Sequence, residues 1–233
     1  MDITDRTRVL TGLATRQGTS GPIADAATAY TSPRTGRTAL ALVDGIGHSE
    51  DIVRLAPMLA ETAARVGAVR GALAGLLSAG LLVNDPGPDA VGVLAVTRLD
   101  GSAELVWAGD CRAYSFERSA LTQLTTDHNL ASYLSRVARG AEVPVAALAD
   151  FVSVTLGLAT PSTAAFVSVP AGTELLVITS DGIHDSVGHE ELEAVVSAHQ
   201  DDPQDLAEAL VAAARPGRDG ERDDATALVL RHP

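Results

Sequence analysis

Cysteine occurs once in 233 residues, at Cys111. One thiol excludes an internal disulfide and any thiolate metal cluster. It fits a reducing compartment. Aromatic residues make up only 3% of the chain, so the core has to be aliphatic, built from the abundant Ala, Val and Leu. Positive charge is short as well: 17 Lys and Arg against 30 Asp and Glu give a formal net charge of −13. No basic run offsets it. Nonspecific binding to nucleic acid or anionic lipid is disfavoured, because both carry phosphate charge. The N-terminal MDITDRTRVL lacks the basic-then-apolar order of a secretory signal. The longest apolar stretch, residues 66–83, approaches the length of a membrane span, but Arg70 and its glycines point to a packed helix. These absences predict a soluble, cytoplasmic protein with neither a nucleic acid nor a membrane as partner.

What the chain does have is a 46% hydrophobic content, enough for a sizeable core. One domain over residues 1–233 is the expectation at this length. Apolar alternation and turn signals predict strands over 8–14, 24–31, 38–43, 90–98, 103–108, 112–117, 121–124, 151–155, 164–169, 174–179 and 225–231. Ser49 followed by Glu50 and Asp51 is helix-start chemistry, a capping hydroxyl with acids in the first turn. It predicts a helical region to about Val83, divided near Pro57 or Gly67. Further helices are expected over 127–139, 190–200 and 203–214, the last with Asp202 as cap and Pro203 in its first turn. Strands in hairpins and helices in separate blocks predict an α+β fold rather than a parallel doubly wound sheet.

Five acids stand where apolar runs meet turns: Asp25 in IADAATAY, Asp44 in VDGIG, Asp110 in VWAGDCRAY, Asp181 in TSDGIHD and Asp223 in ERDDATALVL. Taken singly, each reads most simply as a turn or cap residue. Taken together they pose an electrostatic problem. Buried carboxylates are costly without compensation, and clustered ones raise one another's pKa. A cation is the usual compensation. An all-oxygen donor set selects a hard ion, Mg²⁺ or Mn²⁺. A glycine after the Asp would let the backbone carbonyl approach the same ion.

The segments DGIGH, AGDCRAY, LTTDHN, TSDGIHD and RDDATALVL stand in an order that resembles the metal-dependent protein phosphatases, the type 2C serine/threonine class. The resemblance runs from about Val9 to Leu230. It implies a four-layer α-β-β-α sandwich with two central antiparallel sheets and a metal centre at one end. It implies metal ligation by Asp25, Asp44, the Gly45 carbonyl, Asp181 and Asp223, with Asp110 helping to hold a weaker third ion. Two Mn²⁺ or Mg²⁺ ions would then hold the attacking water, and no covalent phosphoenzyme would form. Cys111, which replaces a serine of the family pattern, is expected to be structural. The implied substrate is a phosphoserine or phosphothreonine protein, with a kinase-signalling partner.

Several positions depart from the family pattern. Ser20 stands where a phosphate-binding Arg is expected, and Ile23 and Ala24 precede Asp25 in place of an acidic residue. Arg16 or Arg37 could supply the missing clamp. His48 either serves as general acid, since imidazole titrates near neutrality, or is an ordinary loop histidine. Asp224 replaces an Asn and either changes metal affinity or faces water. Three other readings therefore stay open: a non-catalytic phosphatase-like binding module, a metal-binding structural protein, and a hydrolase of small phosphate esters.

Overall fold

In the computed structural model, residues 9–137, 148, 151–217 and 220–232 are described. Among these residues ten strands form two antiparallel sheets. They are β1 Leu10–Arg16, β2 Ala26–Thr31, β3 Thr38–Gly45, β4 Ala90–Thr97, β5 Ala103–Ala108, β6 Arg112–Glu117, β7 Ala120–Gln123, β8 Ala165–Val169, β9 Leu175–Thr179 and β10 Ala225–Arg231. One sheet runs β1-β10-β9-β6-β7 and the other β2-β3-β4-β5-β8. The helices described beside them are α1 Glu50–Arg70, α2 Ala72–Gly80, α3 Leu130–Val137, α4 Asp181–His184, α5 His189–His199 and α6 Pro203–Ala213. The α+β sandwich expected from the sequence is the fold observed.

Strand alternation builds the layers. Ala39, Ala41 and Val43 of β3 face α1 and α2, and their neighbours Leu40 and Leu42 face the other sheet. Leu176 and Ile178 of β9 and Leu228 and Leu230 of β10 meet them from the opposite side. The outer faces of β9 and β10, through Val177, Ala227 and Val229, pack under α5 and α6. Small side chains let the helices approach closely. A Cβ on Gly67 or Gly75 would come 2.8 Å or 2.5 Å from Leu94 Cδ2, so α1 and α2 lie directly on β4.

Three local expectations need correction. The first long helix runs through Pro57 and past Gly67, and breaks at Gly71, whose φ of 102° only glycine takes readily. That break divides the apolar stretch, and among the described residues no helix is long and apolar enough to cross a membrane. The helix predicted over 127–139 begins at Leu130, where Asn129 Oδ1 accepts from the Ser132 amide. Its predicted end at 138–139 lies outside the described residues. The strand predicted over 151–155 makes only one isolated bridge, Asn129 to Val152. Its Ser153 amide goes to the His128 carbonyl instead of a ladder. Asp181 lies just past the end of β9, where the apolar run was expected to meet a turn, and it opens a short helix, α4.

Candidate metal and phosphate site

Pairing register brings the acids to one end of the sandwich. Asp44 sits at the finish of β3, opposite Val91 near the start of β4. It continues the Leu40–Leu42 face and so points between the sheets. The end of β5 pairs with the start of β4. Asp110 lies on the link from there to β6, where the chain passes from one sheet to the other. Thr179, the last residue of β9, pairs with both Ala227 and Arg112, which places Asp181 beside the entry to β10 and hence beside Asp223. Asp25 immediately precedes β2, whose first residue pairs with Val43.

Close packing locks these pieces together, and it accounts for both Asp-Gly pairs. A Cβ on Gly45 would lie 2.4 Å from Ile52 Cγ1 and 2.9 Å from the Ala24 carbonyl oxygen. A Cβ on Gly182 would lie 2.0 Å from the Asp224 carbonyl oxygen. Neither glycine needs a positive φ. Both are required because a neighbouring strand entry passes too near for any side chain.

Asp44, Asp110, Asp181 and Asp223 line a cavity of about 700 Å³, with Gly45 and His48 on its wall. Asp25 lies beneath, buried, accepting a 2.8 Å hydrogen bond from Ser180 Oγ. Burial pushes the Asp44 and Asp181 carboxyls well above the usual carboxylate range. For Asp44, the charges of Asp181, Asp25, Asp110 and Asp223 add to it. For Asp181, those of Asp223, Asp110, Asp185 and Asp25 do. Burial raises Asp25 to about 6 against the bonds from Thr226 and Ser180. Burial also raises Asp110 to about 6, opposed by its own amide and by Arg112. Such groups hold protons unless a cation replaces them. Their all-oxygen chemistry fits a hard divalent ion. As placed, however, no three Asp, Glu, His or Cys side chains among the described residues form a ready-made ion cage.

His48 is held by its own loop. Its Nδ1 lies 3.2 Å from the Pro22 carbonyl, an acceptor only, so the proton belongs on Nδ1 and neutral Nε2 is left as an acceptor. Cys111 is buried between the sheets, and burial raises its thiol pKa far above the normal value. It is a packed core residue, as expected.

Neither arginine suggested for the phosphate clamp lines this cavity. Arg16 falls on the same strand face as Ala14, toward α6, and its Nη2 donates to the Ala214 carbonyl at 2.6 Å. Arg37 precedes the first residue of β3, seven residues from Asp44 and thus about 23 Å away along an extended strand. Strand parity turns the first away, and strand length removes the second.

Asp224 has a role the sequence did not suggest, and Arg112 and His184 were given none. Asp224 does not face water. It is buried and grips the 18–24 loop, with Oδ1 accepting from the Gly18 amide at 2.6 Å and Oδ2 from the Ala24 amide at 2.7 Å. Arg112 on the cavity wall is paired with Asp127 through two bonds of 3.0 and 2.7 Å. Both residues lie in the quoted motifs, but their pairing depends on how β6 and β7 fold back. His184 lines the cavity too, with Nδ1 2.8 Å from Thr179 Oγ1. Burial lowers its pKa well below the normal value, so it stays neutral.

No family model and no curated protein matches this chain. Solved structures do. The S. agalactiae serine/threonine phosphatase superposes with a TM-score of 0.81 at 16% identity, covering 97% of this chain and 100% of that one. The PPM Ser-Thr phosphatase MsPP from Mycobacterium smegmatis, solved in complex with cacodylate, gives 0.77 at 21% identity over 96% and 98%. The serine/threonine phosphatase PstP/Ppp from Mycobacterium tuberculosis gives 0.73 at 20% over 96% and 98%. The two sheets, their flanking helices and the near-complete coverage together give this chain the fold of the PPM serine/threonine phosphatases.

Proposed function

We propose that this chain is a metal-dependent phosphatase of the type 2C class, acting on phosphoserine and phosphothreonine in proteins. One observation carries the reading: aspartates from four separate stretches of sequence line one cavity with Asp25 buried beside them, and burial and mutual repulsion leave Asp25, Asp44, Asp110 and Asp181 in want of a cation. The fold shared with serine/threonine phosphatases supports it.

In this reading Asp44, Asp181 and Asp223 with the Gly45 carbonyl hold two Mn²⁺ or Mg²⁺ ions, Asp25 sits behind them, and Asp110 serves a weaker third. Bound divalent ions supply positive charge for the phosphoryl oxygens and acidify water. The protein's own groups do the rest. Asp44, aimed between the sheets, orients the reacting water. Ser180 fixes Asp25 from below. His48, with Nδ1 directed at the Pro22 carbonyl, delivers a proton from Nε2 to the leaving alkoxide when protonated. Arg112, tied to Asp127, steadies the wall opposite.

A second reading, a non-catalytic phosphatase-like module, draws support from the absence of a ready-made ion cage among the described residues and from Arg16 turning away. Phosphate release from an aryl phosphate and from a phosphoserine peptide, with Mn²⁺ and with EDTA, separates the two. Turnover of both that EDTA abolishes supports the enzyme. Turnover of the aryl ester alone points to a small-ester hydrolase. No release above an Asp44→Ala control, from a protein shown to be folded, leaves the binding module.

A further inference from the structure

Resting on the phosphatase reading, one further feature concerns which phosphoproteins the site would take. A second cavity of about 330 Å³ adjoins the first, and His48, Asp181, Asp185 and Asp223 line both. Its far wall carries Arg215 and Arg222. The two differ in one respect. Arg215 is paired with Glu191. Among the described residues, Arg222 has no carboxylate partner. Its Nη2 makes a single long bond, 3.3 Å, to the Gln17 carbonyl, and its Nε is buried with nothing to donate to. Arg16 stands near it with a buried, unbonded Nε of its own. Its pKa is lowered by burial and by the charge of Arg222.

Among the described residues neither guanidinium has a counter-charge, which is out of place in a chain of net charge −13. The cavity's own acids do not relieve them. Glu221 accepts from Thr19 Oγ1, and Asp185 stands 3.9 Å from Arg112. Asp181 and Asp223 face the ions proposed for the first cavity. The Arg222 side chain lines the cavity and its Nη2 is held by one long bond only, so its guanidinium is placed to take a stronger acceptor arriving from outside. A guanidinium fork takes a carboxylate through two parallel bonds. The volume holds one side chain, and the shared wall puts that side chain within a residue or two of the phosphorylated one, at about 3.3–3.6 Å per extended residue.

We propose that Arg222 receives the carboxylate of an acidic residue flanking the phosphoserine or phosphothreonine, so that the substrates are acidic phosphopeptides. Three phosphoserine peptides, identical except for a flanking Glu, Gln or Lys, test this on the full chain with Mn²⁺. One charge-assisted bond predicts a kcat/KM about tenfold higher for the Glu peptide than for the Gln peptide. Arg222→Gln should bring that ratio to about one, and Arg222→Glu should favour the Lys peptide. Circular dichroism establishes that each variant is folded. The wild-type ratio needs no variant at all. A binding measurement is independent of turnover: fluorescence anisotropy on the Asp44→Ala chain should show the Glu peptide binding about tenfold tighter than the Gln peptide. If none of the peptides is hydrolysed, the phosphatase reading fails. If all are hydrolysed but the wild-type ratio is near one, or Arg222→Gln preserves it, the phosphatase reading stands and this inference is overturned.

Discussion

Asp224 offers the sharpest test of how the strand entries are held. Each of its carboxylate oxygens accepts one backbone amide, Gly18 on one side and Ala24 on the other. Asp224→Asn keeps the shape but leaves one oxygen. Its amide nitrogen must then face a backbone N–H, a donor against a donor. A hydrogen bond to a charged acceptor contributes about 1.5–3 kcal/mol, and an orphaned buried donor costs about 1–3 kcal/mol. A net loss of about 2–3 kcal/mol is therefore expected. One effect opposes it: the Asp224 charge helps to raise Asp25, but it ranks behind burial and two hydrogen bonds, so removing it returns less. For a chain of this size 1 kcal/mol shifts Tm by about 2–4 °C, which predicts a fall of about 5–10 °C. Asp224→Ala orphans both amides and should fall further. Thermal denaturation followed by circular dichroism in EDTA measures both. If Asp224→Asn melts at or above the wild-type temperature, charge repulsion outweighs the bonds to the 18–24 loop and the reasoning is wrong.

Three more outcomes follow from the same geometry. The metal-free chain should lose stability as pH rises. Asp25 stands at about 6 when folded against an ordinary 3.8, so its contribution is complete below about pH 4 and is lost through pH 6, about 3 kcal/mol in all. Urea midpoints in EDTA between pH 4 and pH 7 should fall, millimolar Mn²⁺ should restore them at pH 7 by linkage, and a flat EDTA profile would contradict the clustering. Gly182→Ala drives a methyl into the Asp224 carbonyl and should cost about 1–3 kcal/mol, with a lower kcat/KM as Asp181 and Asp223 separate; an unchanged Tm would refute the close packing. Arg37→Ala should change kcat/KM less than twofold, because β3 separates it from Asp44; a tenfold loss would place a substrate contact there.

Much of this was legible in sequence because the relevant signals are local. The β5 and β6 boundaries and the β10 strand follow from alternation and turn residues, and the α6 start from Asp202, whose side chain accepts from the Gln204 and Asp205 amides. The five acids stood out because each follows or precedes an apolar run. What stayed hidden depends on parity and partner. Arg16 looked available until β1 was registered against β10, which puts it on the helix side. Arg37 looked available on charge alone, although the strand expected over 38–43 already sets it at the opposite end from Asp44. Asp224 looked like a lost Asn, and only the return of β10 beside the 18–24 loop shows two amides waiting for a carboxylate. The Asp-Gly pairs were noticed for their carbonyls, and the structure adds a steric reason that comes from strands far away in the chain.

The central claim is that Asp44, Asp181 and Asp223 converge on cations. Anomalous diffraction from crystals soaked in Mn²⁺ tests it directly. The account predicts two peaks in the cavity between β3, α4 and the start of β10, within bonding distance of those three carboxylates and of the Gly45 carbonyl, and absent from crystals of Asp44→Ala. Manganese bound elsewhere, or a cavity without manganese while these carboxylates keep their protons, would contradict it.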